Sequence, residues 1–91
     1  EIYIKEINVS NAHPNPFNPT TNINYLVNEP ANIKVTIFDV MGRVVDTIEE
    51  GYKAKGNYLL SWNAMNKASG IYYISIQTDN DIYSQKVILL K

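Results

Sequence analysis

The clearest pattern along the chain is a short run in which apolar and polar residues alternate. Ile33, Val35 and Ile37 are separated by Lys34 and Thr36. A period of two residues is typical of a strand that buries one face and exposes the other. The pattern therefore predicts the first strand of a central hairpin over residues 33–48.

A turn signal follows directly after this strand. Asp39 takes the first position of a predicted type I turn, and Gly42 follows three residues later, which is the spacing of a three-residue hairpin loop. The Asp side chain accepts hydrogen bonds from nearby backbone N–H groups, and glycine adopts the left-handed conformation that other residues resist. Arg43-Val44-Val45 then begins the returning strand. The turn itself does not require Arg43.

Further strands are predicted wherever the alternation resumes. They cover residues 22–27, 57–63, 71–78 and 82–91, with a short first strand or an ordered linker over 2–9. Residues 49–56 are predicted to form a polar loop bracketed by glycines, and residues 64–70 a loop with room for a single helical turn. No segment keeps a 3.6-residue apolar period. About seven short strands favour an all-β fold, an immunoglobulin-like antiparallel β-sandwich, with a small barrel as the alternative.

A proline-rich segment precedes the first clear strand. Pro14, Pro16 and Pro19 remove three backbone donors within six residues and fix φ near −65°. They also push Asn15 and Asn18 toward extended conformations. The segment can be neither a helix nor a central strand. We expect a rigid, extended edge segment that Phe17 holds against the core.

Length and composition exclude several classes of protein. The 91 residues suffice for one domain, which we divide into a linker or first strand at 1–11 and the domain proper at 12–91. The net charge of −1 and the scattered Lys and Arg residues argue against a nucleic-acid surface. Cysteine is absent, which excludes disulfides and thiolate metal sites.

Targeting signals are not evident in these residues. No apolar run approaches the ~18 residues of a membrane helix, and no signal-peptide pattern occurs at the start. Because the chain begins at Glu1, we expect a processed product or a piece of a longer precursor that carried such a signal.

The residues with reactive side chains do not form a catalytic pattern. His13 is the single histidine, and no Cys, Asp or Glu lies at metal-ligand spacing from it. The carboxylates at Glu49-Glu50, and those of Asp79 and Asp81, fall in turn-forming composition, which favours solvated loop charge. For Asp79-Asn80-Asp81 a calcium site is the alternative. We predict no enzyme activity and no cofactor.

Aromatic residues are numerous, with seven Tyr, two Phe and one Trp. An exposed aromatic platform would suit carbohydrate or protein binding. However, Tyr25, Tyr58, Trp62 and Tyr72 fall on the apolar side of alternating strands, which favours core packing. The tyrosines predicted to be exposed are Tyr73 and Tyr83.

Three motifs, in this order, carry a resemblance to a known family. They are Pro14-Asn15-Pro16-Phe17-Asn18-Pro19-Thr20, then Val35 to Val45 with Asp39, Gly42 and Arg43, then Ser69 to Ile74 running into Ser84 to Lys91. Together they resemble the type A C-terminal sorting domains that the type IX secretion system of Bacteroidetes-like bacteria reads. The chain is also similar to the immunoglobulin-like domain of flagellar hook-capping proteins, which shares the fold.

This resemblance implies a signal domain at the C-terminus of a larger secreted protein. Such a domain directs its N-terminal cargo from the periplasm through the outer-membrane translocon. A sortase-like peptidase then removes the domain, and the cargo is attached to the cell surface or released outside. The resemblance implies neither a membrane span nor nucleic-acid binding. The candidate recognition residues carried over by position are Pro14, Asn15, Pro16, Phe17, Asp39, Gly42, Arg43, Gly70, Tyr72, Lys86, Val87, Leu89 and Lys91.

Two functions therefore remain open from the sequence. A secretion signal could present its last strand, residues 82–91, to a partner that adds a strand to the sheet. Alternatively, the domain could be an accessory spacer, or a carbohydrate- or protein-binding module, that stays on a secreted enzyme. In the second case the mature extracellular protein retains residues 1–91, and its intact mass separates the two functions.

Overall fold

The structure, a computed structural model, describes residues 5–91 as seven antiparallel strands in two sheets. The strands are β1 (Ile7–Val9), β2 (Thr20–Val27), β3 (Ala31–Asp39), β4 (Val44–Lys53), β5 (Gly56–Asn63), β6 (Gly70–Gln77) and β7 (Ile82–Leu89). One sheet has the strand order β1-β2-β5 and the other β4-β3-β6-β7. This arrangement confirms the all-β sandwich and is consistent with an immunoglobulin-like fold. Residues 2–4, where the predicted first strand begins, lie outside the described residues.

The core lies between the two sheets and is built from every second residue of the strands. In β3, the predicted inner residues Ile33, Val35 and Ile37 are all fully buried, as period-two alternation requires. The largest buried side chains, Trp62 and Tyr25, come from the other sheet. The alternation therefore located the core-facing residues correctly. Other fully buried members are Ile7, Ile23, Val27, Ile74, Ile76, Val87 and Leu89.

The predicted polar loop at residues 49–56 is wrong, because β4 continues to Lys53. Ala31 to Val35 pair with Lys53 to Glu49, so only residues 54–55 connect β4 to β5. The polar side chains are accommodated because β4 is an edge strand. Glu49 accepts a hydrogen bond from the Tyr25 hydroxyl and forms an ion pair with Lys53.

The predicted loop at residues 64–70 is confirmed for residues 64–69, between β5 and β6. It holds a β-turn rather than a helical turn, in which the Lys67 N–H donates to the Ala64 carbonyl. One strand boundary differs from expectation. β2 begins two residues before the predicted Asn22, because Thr20 and Thr21 pair with the end of β5. No helix in residues 5–91 is long and apolar enough to cross a membrane.

The two ends of the elongated sandwich are built from different parts of the chain. The domain measures 45 × 23 × 22 Å. The hairpin end holds the turn at residues 39–43, the loop at 64–69 and the last residues of β7. The opposite end holds the start of β1 and the turns at 28–30 and 78–81. The described chain thus begins at the end far from the 39–43 turn.

Candidate functional site

The three sequence motifs meet at the hairpin end. The proline-rich segment runs alongside β7, the central hairpin turns there, and β6 begins there. Aromatic side chains join these parts: the Phe17 and Trp62 rings lie 5.5 Å apart, and those of Trp62 and Tyr72 lie 5.2 Å apart. The structure therefore brings together residues that are more than 70 positions apart in the sequence.

The proline-rich segment pairs with the outer edge of β7. The Phe17 N–H donates to the Ile88 carbonyl at 2.9 Å, and the Leu90 N–H donates to the Phe17 carbonyl at 3.0 Å. Phe17 also forms a parallel bridge with Leu89, and its side chain is buried. This confirms that Phe17 holds the segment against the core. It also shows that the segment acts as a short additional strand.

The side chain of Asn15 extends this pairing where the prolines cannot. Its Nδ2 donates to the Lys86 carbonyl at 3.0 Å, and its Oδ1 accepts from the Ile88 N–H at 3.0 Å. Pro14 and Pro16 have no backbone N–H to offer β7. The primary amide of Asn15 carries both a donor and an acceptor, so it replaces one residue of a paired strand.

Gln85 makes the reciprocal contact from β7. The Ala12 N–H donates to Gln85 Oε1 at 2.6 Å, and Gln85 Nε2 donates to the Ser10 carbonyl at 2.9 Å. Two side-chain amides, one on each segment, therefore close the seam between residues 10–17 and β7. No local sequence pattern marks Gln85 or Ser10 as members of this seam. The sequence does show Asn15 between two prolines, but its hydrogen-bond partners lie on the distant strand β7.

Asn15→Ala is expected to lower the free energy of unfolding by about 1–2 kcal/mol, because it removes two hydrogen bonds at a partly solvated edge. Urea denaturation followed by circular dichroism measures this change, and hydrogen exchange reports faster exchange at the Ile88 amide. Asn18→Ala is the matched control, since the exposed Asn18 makes no side-chain hydrogen bond among residues 5–91. Equal stability of the two variants would contradict the assigned role of Asn15.

β7 is an edge strand, as strand addition requires, but the relevant edge is already occupied. Residues 10–17 cover it from Gln85 to Leu90. A partner strand therefore cannot add at the end of β7 unless the proline-rich segment leaves. Val87 and Leu89 are fully buried in the core, so neither side chain is displayed to a partner.

The turn at residues 39–43 has the predicted chemistry. Asp39 Oδ1 accepts from the N–H groups of Met41 and Arg43 at 2.9 and 3.0 Å. Gly42 has φ +81°, a left-handed conformation in which a Cβ would be strained. Arg43 completes the turn, since its Nε lies 2.9 Å from Asp39 Oδ2. This contact is a solvent-exposed ion pair and so contributes little stability.

The same contacts lower the pKa of Asp39. The hydrogen bond from the Arg43 backbone N–H is the largest cause, followed by the Arg43 guanidinium and the Met41 N–H, and together these outweigh the opposing effect of burial. All three favour the ionised carboxylate. Because the pKa of Asp39 is lower in the folded than in the unfolded protein, the ionised carboxylate stabilises the fold. This contribution to the free energy of unfolding is complete above the unfolded-state pKa and is lost as the pH falls through the folded-state pKa.

Arg43→Gln is therefore expected to leave the pKa of Asp39 below its ordinary value of 3.8. The backbone N–H that contributes most is retained in this variant. An NMR titration of the Asp39 side-chain carboxyl carbon measures the pKa, and Asp39→Asn identifies the signal. A return to the ordinary value in Arg43→Gln would mean that the guanidinium, rather than the backbone, controls this carboxylate.

The start of β6 and the end of the chain are also linked. The Tyr72 hydroxyl donates to the Ala68 carbonyl at 2.7 Å, the kind of backbone contact that fixes a corner in immunoglobulin-like sandwiches. The Lys91 N–H donates to Ser69 Oγ at 3.0 Å, and Lys91 Nζ donates to the Met65 carbonyl. Gly70 opens β6 with φ +155°. Tyr72 and Lys91 thus brace the loop before β6.

Exposure of the aromatic residues partly follows the prediction. Tyr25, Trp62 and Tyr72 are buried, and Tyr73 is exposed, as predicted. Tyr83 was also predicted to be exposed, and this prediction is wrong, because its side chain is half-buried and packs against the core. Tyr52 is more exposed than either. The polar composition of residues 49–56, which predicts a loop, hides the exposed strand position of Tyr52.

No cluster of metal-binding side chains accompanies these contacts. Among residues 5–91, no group of three or more His, Asp or Glu residues could hold a metal ion. The Thr78 hydroxyl accepts from the Asn80 and Asp81 N–H groups. These bonds give residues 78–81 the role of the turn between β6 and β7.

Comparison with known families agrees with the geometry of the hairpin end. No curated protein matches the chain. The family model described as "Secretion system C-terminal sorting domain" matches residues 5–90, which include the three motifs except for Lys91, the last residue of the third. The chain therefore belongs to the family of secretion-system C-terminal sorting domains.

Proposed function

We propose that this domain directs a cargo that precedes it in the same precursor through the outer-membrane translocon of the type IX secretion system. The observation that carries the proposal is the family match over residues 5–90, in a chain whose family motifs converge at one end. The domain itself performs no chemistry in this function. In this proposal the secretion machinery recognises the folded domain.

The position of Lys5, where the described chain begins, supports this role. The described chain begins at Lys5, near the turn at residues 78–81, where Thr78 Oγ1 donates to Glu6 Oε1. The motif residues lie at the hairpin end, on the other side of a domain 45 Å long. A cargo joined before Lys5 therefore leaves the hairpin end accessible. A signal that serves unrelated cargoes needs such an independent face.

After export, a sortase-like peptidase removes the domain, and the cargo is attached to the cell surface or released. In this proposal the domain is the substrate of the peptidase, and cleavage falls near or before residue 1. The intact mass of the mature extracellular protein tests this step, which predicts that residues 1–91 are missing. A mature protein that retains the whole domain would instead support an accessory module.

The test of the signal function is export of a reporter. A periplasmic fluorescent protein fused before residues 1–91 is expected to reach the medium or cell surface in a host that has the type IX system. The same fusion is expected to stay in the periplasm of a matched strain without the translocon. Retention in both strains would overturn the proposed function, and so would equal export from both.

A further inference from the structure

The outer face of the four-stranded sheet carries an apolar patch near the hairpin end. Phe38 on β3 lies opposite Val44 on β4 and Tyr73 on β6. Ile71 and Ile88 form the next pair, on β6 and β7. Val44 is 59% exposed, and Ile71 and Tyr73 are each 39% exposed. We call these five residues the outer patch.

Strand alternation shows that these side chains do not serve the core. Their neighbours Ile37, Tyr72 and Val87 are the residues that point inward and are buried. Phe38, Tyr73 and Ile88 therefore point to the opposite side of the sheet, because successive side chains of a strand alternate between its faces. The outer patch spans all four strands of this sheet.

The other half of the same face is polar in composition, although Thr36 and Ser75 are themselves buried. Thr36 pairs with Ser75, and Lys34 pairs with both Gln77 and Glu50. Tyr52 and Ile82 are exposed there, but they lie singly on the two outermost strands. Antiparallel sandwiches normally present polar residues outward. A contiguous apolar area on one half of an outer face marks an interaction surface.

A positive charge borders the outer patch. Lys86 lies directly opposite Tyr73 on β7, is exposed, and forms no ion pair among residues 5–91. Arg43, which precedes Val44, is already paired with Asp39. A partner that covers the patch therefore meets apolar side chains with one unpaired cation, Lys86, at their border.

We propose that the outer patch is the surface by which the folded domain docks on a protein subunit of the translocon, through an apolar area with a carboxylate at its border that meets Lys86. The inference rests on the proposed secretion function and names the face that is read. Charge complementarity selects this partner, because opposite charges at the border of an interface steer encounter and fix register. A second copy of the domain offers the same apolar side chains but no carboxylate to meet Lys86, because Asp39 and Asp46 are engaged within the domain.

Docking on the outer face does not require the edge of β7, which residues 10–17 already occupy. A partner on the outer face leaves the hydrogen bonds between residues 10–17 and β7 intact. Strand addition at the end of β7 would break them. The sandwich can therefore be recognised in its complete, folded form.

The first test uses the reporter fusion with three substitutions, Val44→Thr, Ile71→Thr and Tyr73→Thr, which keep residues that favour strands. Export is expected to fall about tenfold or more, as for loss of a central apolar contact area. The control fusion carries Leu59→Thr and Ile82→Thr, each 64% exposed in the parent domain, and is expected to be exported like the parent. Parent-like export of the triple variant overturns the docking proposal. Failure of the parent fusion overturns the secretion function itself.

A charge variant tests the border of the patch. Lys86→Glu is expected to reduce export, whereas Lys34→Glu, on the polar half of the same face, is expected to leave it unchanged. Equal effects of the two variants would contradict a directed electrostatic contact. Urea denaturation confirms that each variant is folded.

Site-specific photocrosslinking decides the identity of the partner, even if the triple variant fails to fold. A benzophenone amino acid at position 73 of the otherwise native fusion is expected to capture a translocon subunit, identified by mass spectrometry. The same probe at position 59 is not expected to do so. A cross-link to a second copy of the domain overturns the proposal. Binding to vesicles of phosphatidylglycerol and phosphatidylethanolamine that the triple variant abolishes, without any protein cross-link, also overturns it.

Discussion

Trp62→Ala is expected to lower the free energy of unfolding by about 3–5 kcal/mol, the range for truncating a large buried aromatic residue. Trp62 is almost fully buried on β5 and contacts the rings of Phe17 and Tyr72. Its Nε1 also donates to Asp46 Oδ2 at 3.0 Å, so truncation leaves this half-buried carboxylate without its partner. Urea denaturation followed by far-ultraviolet circular dichroism measures the effect.

The matched control is Leu59→Ala on the same strand. Leu59 points to the outer face of its sheet and is exposed, so the expected change is within about 0.5 kcal/mol. Trp62→Phe separates packing from hydrogen bonding, since it keeps an aromatic ring but not the indole N–H. A change in Trp62→Ala as small as that in Leu59→Ala would contradict the central place of Trp62 in the core.

Deletion of residues 87–91 is expected to abolish both cooperative unfolding and export, leaving the reporter fusion in the periplasm. Val87 and Leu89 are fully buried, and the backbone of Ile88 and Leu90 holds the proline-rich segment. A domain of this size has a total stability of only about 5–10 kcal/mol. The deletion removes two core side chains and the hydrogen bonds between β7 and residues 10–17. The expected loss of free energy exceeds the total stability of the domain.

Leu90→Ser is the control for this deletion. The Leu90 side chain is exposed, while its N–H, which contacts Phe17, is kept. The variant is expected to fold and to retain the seam. Circular dichroism and cell fractionation are measured on both proteins. Normal export of the truncated fusion would show that neither β7 nor the folded sandwich is required.

Local alternation predicted most of the fold because each strand buries one face. The alternation within β3 alone predicts that Ile33, Val35 and Ile37 lie on the buried face, and no information about another strand is needed. The turn at Asp39 and Gly42 was equally local, since its hydrogen bonds join residues within five positions. Such features depend on neighbouring residues, which the sequence displays directly.

Features that depend on distant partners were not predicted. Glu49 lies in a stretch of loop-like composition, and only the structure supplies Val35 of β3 as its pairing partner and the Tyr25 hydroxyl of β2 as its donor. Asn15 is predicted to be extended, but only the position of β7 shows that its amide replaces a strand residue. The outer patch likewise forms from residues on four strands, and only the strand order and register place them side by side.

The seam between residues 10–17 and β7 also makes the fold a check on chain completeness. Asn15 bonds to residues 71 and 73 positions further along the chain, so the seam can form only after nearly the whole domain has been synthesised. Contacts of such large sequence separation form late, because closing a long loop costs entropy before the contact repays it. A precursor that ends before residue 86 has no strand against which the proline-rich segment can lie. Chain termination before β7 would therefore leave a protein without a complete sorting domain, and a translocon that reads the folded sandwich would not carry that protein.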